Sequence, residues 1–415
     1  MAFTSLYHLL NADLLRECHG ETDGSKAAGV DRVTKDEYGA NLEQNIQSLV
    51  LRLKNKSYKP LPSLRVYIPK VNGKLRPLGI AAYEDKLVQL ALGKVLGAVY
   101  EPKFRRSMFG YRPNLNPHAA LRALNTHIEK EKTNFVVDAD IKGFFNNMTH
   151  ERIIELISFR IKDPNILWLV RKTLTAGVIE NGVLSPTTKG SEQGNAASPV
   201  IANIYLHYAL ALWYDIVYIK QCEGDTGLVI YADDFVATFQ YRRDAVKFMK
   251  AVAERFALFG LELEMEKTRL IEFGRFAEEN RKAHRQRKPE TFDFLGFTHY
   301  CSKSRQGKFR VKRRTTRKKL NMKLIALNKW IKANRHSPLK ELIGGLNLKL
   351  KGHYNFYGIT DNSKSIGSYY YTAVKLLFKW LNRRSQRKSY TWDGFNEVLK
   401  LFPLATPRIR VNIYG

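Results

Sequence analysis

The chain has 415 residues, of which 44% are apolar and 26% charged, and it carries a formal net charge of +30 with a pI near 9.9. That length and apolar content exclude a disordered tail or a single small module and support two or three folded domains. The charge points to a polyanionic partner, with nucleic acid ahead of anionic membrane, and no apolar run is expected to span a bilayer.

Residues 1–60 read as helices with polar joints, and Gln44–Leu53 shows helical spacing of apolar residues. Ser63–Ile68 alternates as a strand, Val71-Asn72-Gly73-Lys74 reads as a hairpin turn, and Leu75–Ile80 returns as its partner. Glu84–Tyr100 predicts a strong helix. Phe135–Asp140 follows as a buried strand, then helices over Glu151–Ile161 and Asn165–Leu174, and a long apolar helix over Pro199–Tyr214. Two apolar runs, Leu228-Val229-Ile230 and Phe235-Val236-Ala237, flank a tight turn, and a helix over Arg243–Phe259 stops at Gly260. Glu278–Pro289 reads as an exposed loop and Thr291–Tyr300 as one strand. From Lys303 to Lys319 the sequence has ten Lys or Arg in 17 residues and no acid. That run predicts a domain boundary and opens a helical region over Thr315–Arg335, Pro338–Phe356, Ser365–Arg384 and Trp392–Leu401.

The chemistry-bearing residues are carboxylates. Cys18, Cys222 and Cys301 are far apart and odd in number, so a disulfide framework is not expected and a reducing, cytoplasmic compartment is. The ten histidines form no H-x-x-x-H pair and there is no Cys-x-x-Cys, so a catalytic metal would be held by oxygen, as Mg²⁺ or Mn²⁺ is. Asp233 and Asp234 lie side by side at the expected hairpin tip of Tyr231-Ala232-Asp233-Asp234. Alone, such a pair is more often an ordinary turn than a site. The strand Phe135–Asp140 ends in a third carboxylate, with Val136, Asp138 and Asp140 on one face. Three carboxylates can hold two cations about 3.5–4 Å apart, the geometry that serves in-line displacement at phosphorus. Gly190–Pro199 runs into the helix Val200–Leu206. Its small residues allow close approach to a base or sugar, and equally suit a helix start with Ser198 as cap and Pro199 in the first turn.

In chain order, Asp140-Ile141-Lys142-Gly143-Phe144-Phe145, then Gln193-Gly194 with Ser198-Pro199 and Ala202-Asn203-Ile204-Tyr205-Leu206, then Tyr231-Ala232-Asp233-Asp234, resemble the reverse transcriptases encoded by bacterial group II introns. Ile68-Pro69-Lys70, Gly73–Ile80, Phe109–Pro113, Glu266-Lys267-Thr268 and Phe294–Phe297 are similar to further motifs of that family. Gly352–Gly358 and Trp380–Gln386 resemble its thumb, or maturase, region, so the likeness covers roughly residues 20–410 in one order.

The resemblance implies an α/β (α+β) right-hand polymerase. Fingers and palm would occupy 1–300 (fingers mainly 20–130, palm mainly 131–300), and a basic helical thumb 301–415. It implies an RNA-directed DNA polymerase that extends a DNA primer on an RNA template with deoxynucleoside triphosphates. The same chain would bind structured intron RNA to assist splicing. It further implies that Asp140, Asp233 and Asp234 bind two Mg²⁺ ions, with Mn²⁺ as a substitute. Lys70 and Arg76 would hold the triphosphate, Phe145 would pack on the sugar and exclude a 2′-hydroxyl, Gln193 would lie near the new base pair, and Lys267 would meet phosphate. Leu295 and Gly296 would form part of the primer grip, and Arg313, Arg314, Arg317 and Lys318 would follow the nucleic-acid backbone.

Three positions depart from the family pattern. Asn146 stands where it usually has Asp, Glu192 where it has Pro, and Asn195 where it has Gly. The end at Gly415 leaves no room for the family's optional DNA-binding and endonuclease modules, so independent cleavage of target DNA is not expected. Two other readings stand beside the main one: a domesticated enzyme of the same lineage in phage defence or another host role, and an RNA-binding splicing factor with a vestigial polymerase.

Overall fold

β-branched and aromatic residues concentrate in eleven short strands, which form three small sheets in a computed structural model describing residues 2–69, 75–191, 194–385 and 389–414. The first sheet joins β1 (Ser63–Pro69), β2 (Leu75–Ile80), β4 (Val178–Glu180) and β5 (Val183–Ser185) in the order β2-β1-β4-β5. Its pairs are antiparallel except β1 with β4, which run parallel. The expected turn at 71–74 lies outside the described residues.

The central sheet has the order β6-β7-β3-β8, built from β3 (Phe135–Asp140), β6 (Thr226–Tyr231), β7 (Asp234–Phe239) and β8 (Arg269–Glu272), and every pair is antiparallel. Its two faces feed different cores, as period-two alternation requires. Val137, Ala139, Phe235, Ala237 and Phe239 pack into a large cluster with the helices of the first 260 residues. Val136, Val229, Val236 and Ile271 pack into a second cluster with helix Pro117–Lys130 and the C-terminal helices. The chain is thus mixed α/β with small antiparallel sheets and a helical C-terminal region.

Several elements differ from expectation. Thr291–Tyr300 is not one strand: β9 (Phe292–Phe294) and β10 (Phe297–Lys303) are joined by a two-residue turn, and β10 continues into β11 (Phe309–Thr315). Seven residues of the basic run, Phe309–Thr315, are therefore the return strand of a hairpin, and the helix Arg317–Asn334 begins only after it. The predicted exposed loop at 278–289 contains the helix Ala277–Ala283. Helix Pro117–Lys130, which the sequence reading does not place, is marked by Asn116, whose Oδ1 accepts from Ala119 N at 3.0 Å, and by Pro117 in the first turn. Ser198 is not a cap. The helix from Ser198 has Ala197 at its N-cap, and Asn195 Oδ1 instead accepts from Ala197 N at 2.8 Å in a side-chain turn.

That helix continues through wider turns to Gln221 and is long and apolar enough by composition to cross a membrane. Most of its apolar side chains are buried inside the protein, and it is the central helix of the large core.

Candidate active site

A hairpin between apolar strands needs the tightest turn its residues allow, and β6 and β7 close with Tyr231 opposite Asp234, leaving Ala232 and Asp233 as the turn. Ala232 has φ of 56°, a left-handed conformation costing about 1–2 kcal/mol for a residue with a side chain. A neighbouring segment holds it there. Phe109 N donates to Ile230 O at 2.9 Å and Ile230 N to Ser107 O at 2.7 Å, so residues 107–109 lie alongside β6. Gly110 then rests directly on the turn, where an added Cβ would lie 2.4 Å from Ala232 N. Asn203, buried in the central helix, donates Nδ2 to Gly110 O at 2.8 Å and fixes that contact from behind.

β3 ends opposite the start of β7, with Asp140 the direct partner of Asp234. Like charges directly opposite on one face repel, and Asp233 adds a third carboxylate at the turn. Partial burial, then the charges of Asp233, Asp140 and Asp138, push the Asp234 carboxyl up to about 7. Its residue surface is nonetheless open to water, so the direction is what matters. Asp233 is raised by burial and by Asp140, and Arg76 and Lys267 pull it back. Cations answer the repulsion: Lys267 Nζ sits on Asp140 Oδ2, and Arg269 Nη2 reaches Asp138 Oδ2 at 3.1 Å. Burial still holds Asp138 up at about 6, with Arg269 opposing.

The donors are all carboxylate oxygens, a set that suits a hard divalent cation. Among the described residues no three His, Cys, Asp or Glu side chains converge closely enough to hold a metal ion as they stand.

Arg76 lies exposed on β2, close enough for its charge to act on both Asp233 and Tyr111. Phe145 is 8% exposed at the edge of the large core, with its ring edge-on to Phe144 and to Tyr111, whose centroid is 6.5 Å away. Lys70 and Gln193, with Glu192, lie outside the described residues. The loop following Gln193 is pressed against β2: at Gly194, with φ of 120°, a Cβ would lie 2.2 Å from Gly79 O. Only glycine fits there, so the loop at Gly194 packs directly on β2 of the first sheet.

The predicted nucleic-acid contacts divide. Leu295 and Gly296 form the β9–β10 turn, both at positive φ (50° and 81°), and Leu295 is an unusual residue to hold there. Arg314, Arg317 and Lys318 are exposed. Arg313 corrects the expectation. It alternates inward on β11, is 1% exposed, and donates Nη2 to Asn125 Oδ1 at 2.8 Å, so its guanidinium is internal.

Sequence reasoning missed Gly110 and Asn203 as turn supports, Asp138–Arg269 as a paired charge, and Tyr111 as a neighbour of the acids. Gly110 and Asn203 stood inside quoted motifs, but nothing local says that the two touch 93 residues apart.

Residues 68–299, more than half of the chain, match the family described as "Reverse transcriptase (RNA-dependent DNA polymerase)". The chain is similar to the group II intron-encoded protein LtrA of Lactococcus lactis subsp. cremoris, 37% identical over 207 residues, 49% of this chain and 34% of that protein. It is similar to protein YkfC of Escherichia coli (strain K12), 35% identical over 187 residues, 44% of this chain and 49% of that one. A 91 kDa protein in the cob intron of Schizosaccharomyces pombe is 38% identical over 162 residues, 39% of this chain and 20% of that one. The match spans a fifth to a half of these relatives, and two of the three names, those of LtrA and the cob-intron protein, bear out the expected likeness to intron-encoded proteins. Family match, relatives and sheet agree: the chain belongs to the reverse transcriptase (RNA-dependent DNA polymerase) family.

Proposed function

We propose that the chain is an RNA-directed DNA polymerase that extends a DNA 3′-end on an RNA template with deoxynucleoside triphosphates and Mg²⁺, and that it also binds structured intron RNA. The observation that carries the reading is the direct pairing of Asp140 with Asp234 beside Asp233 in a chain of net charge +30. A protein that only bound RNA would have no use for clustered acids facing its anionic ligand.

Asp140, Asp233 and Asp234 would hold the divalent cations. When bound, such ions lower the pKa of the attacking 3′-hydroxyl and neutralise the leaving pyrophosphate. The chain's own residues position the reactants. Arg76, whose planar fork suits phosphate oxygens, binds the triphosphate, a role the family resemblance also gives to Lys70. Lys267 releases Asp140 and turns to phosphate. Phe145, fixed between Phe144 and Tyr111, packs under the sugar and leaves no space for a 2′-hydroxyl. Leu295 and Gly296 support the primer strand, Gln193 lies near the new base pair, and Arg314, Arg317 and Lys318 follow the backbone without reading sequence.

Template-dependent primer extension with deoxy- and ribonucleotides tests this arrangement. Wild type incorporates deoxynucleotides, and Phe145→Ala gains ribonucleotide incorporation by about 10-fold or more, the effect of one removed steric contact. Unchanged sugar discrimination in Phe145→Ala would show that the aromatic edge faces something other than the sugar.

A further inference from the structure

The segment that braces the acid turn is fixed on both sides of Tyr111. Residues 107–109 are bonded to β6, and Asn203 holds Gly110. Beyond the tyrosine, Arg112 donates Nε and Nη2 to Glu101 at 2.8 and 2.7 Å, and Nη1 to the carbonyls of Arg105 and Met108 at 3.0 and 2.9 Å. Tyr111 itself has φ of 56°, a left-handed backbone that a bulky side chain disfavours, and it is 48% exposed. Its hydroxyl has no hydrogen-bond partner among the described residues. Strain held in place by its surroundings marks a residue whose side-chain direction matters.

What its ring touches is Phe145. The two rings meet edge-on, with centroids 6.5 Å apart and planes at 78°. Phe145 belongs to a four-residue helix, Phe144–Asn147, which makes too few backbone bonds to hold a side chain rigidly by itself. Ser191 N donates to the Phe145 carbonyl at 2.8 Å, and Phe144, 1% exposed in the large core, meets its ring at 5.4 Å. Tyr111 supplies the second aromatic contact. Burial, then the charges of Asp233 and Tyr231, raise the tyrosine's pKa, and Arg76 opposes them. The ring therefore lies between Phe145 and the residues assigned to metal and triphosphate.

We propose that Tyr111 is a positioning residue for sugar selection: its ring keeps Phe145 edge-on, so that two aromatic side chains from separate elements form the barrier to a 2′-hydroxyl. The proposal rests on the polymerase reading and on Phe145 as the group under the sugar. Excluding one oxygen by size requires a ring that does not yield, and a lone ring at the edge of a core can rotate into vacated space. The same segment carries the glycine contact that fixes the acid turn, so one brace sets the acids and the sugar barrier relative to each other. The contact with Phe145 is made by the ring and not by the hydroxyl, which separates this role from a direct bond between the phenol and the triphosphate.

The test measures kcat/KM of the full chain for a deoxynucleotide and for the matching ribonucleotide on an RNA template with a DNA primer. Tyr111→Ala should lower the deoxy-over-ribo ratio by about 5-fold or more. Tyr111→Gly, whose backbone takes the positive φ freely, should do the same, which excludes backbone strain in the variant as the cause. Tyr111→Phe keeps the ring and should hold the wild-type ratio. The double variant with Phe145→Ala should relax the ratio no further than Phe145→Ala alone, because the tyrosine acts through the phenylalanine. The proposal is overturned if Tyr111→Ala slows both nucleotides equally, if Tyr111→Phe relaxes the ratio as far as Tyr111→Ala, or if the effects add in the double variant. Binding of both nucleotides to a complex with a dideoxy-terminated primer is measured in parallel. A wild type that extends no primer, yet binds the deoxynucleotide in preference and loses that preference in Tyr111→Ala but not in Tyr111→Phe, would overturn the polymerase reading and leave the ring pair standing. A wild type that neither extends primers nor distinguishes the two nucleotides in binding overturns both.

Discussion

Asp234 faces Asp140 across one rung of the sheet, and the fold bears the repulsion because Lys267 and Arg76 stand close by. Removing one of the charges should separate stability from activity. Asp234→Asn is expected to raise the thermal midpoint measured without divalent cations and, with Mg²⁺ present, to lower nucleotide incorporation by at least about 10³-fold, the worth of several kcal/mol of transition-state stabilisation. A lower midpoint would mean that the carboxylate is structural. Asp85, in the first turn of helix Tyr83–Tyr100, is 3% exposed and accepts from Tyr58 Oη and from Leu61 N, the latter at 2.9 Å. Burial pushes it up to about 6. Its folded form therefore binds a proton that the unfolded chain has released, so its contribution is present below about pH 4 and lost as pH rises to about 6. Chemical unfolding across that window should show a decline of the order of 2 kcal/mol from this group, absent in Asp85→Asn. A pH profile identical in the two proteins would contradict that assignment. The places of Asp140 at the end of β3 and of Asp233 and Asp234 at the hairpin tip were legible because strand period and turn chemistry act locally, whereas the role proposed for them came from the family resemblance. Arg313 was misread because composition counts charge without direction, and its partner Asn125 lies 188 residues away.

The β6–β7 hairpin shows what an element owes to its neighbours. Its strands follow from the apolar runs on either side of the acids, but its strained turn depends on Gly110 and Asn203. Gly110→Ala would drive a methyl group into Ala232 and shift Asp233. Incorporation is expected to fall by about 10²-fold, the usual effect of a displacement near 1 Å, with binding of template–primer little changed. Equal losses in binding and turnover would argue that the glycine serves the fold alone. Element existence was readable where periodicity was long, as in Trp392–Leu401, predicted and observed over the same residues. It failed where strands were three or four residues long, as in β4, β5 and β8, because such segments owe their conformation to the partner strand and carry too few side chains to show alternation. The β9–β10 turn was hidden for another reason. A Leu-Gly turn with both residues at positive φ lacks the Asn-Gly or Asp-Gly signal that marks such hairpins.

Across the whole molecule, one sheet divides two cores, and the acids occupy its face toward the second core, at the end of β3. The loop at Gly194 packs on the first sheet, and the separate β9-β10-β11 sheet runs into the basic helix Arg317–Asn334. A charge of +30 on such a frame attracts any nucleic acid, so binding alone distinguishes nothing. Chemistry does. The decisive measurement is primer extension on an RNA template with Mg²⁺ and deoxynucleoside triphosphates, wild type against Asp233→Ala, with template–primer binding measured in parallel. The account predicts extension by wild type and its loss in Asp233→Ala at preserved binding; incorporation that survives the substitution would contradict it.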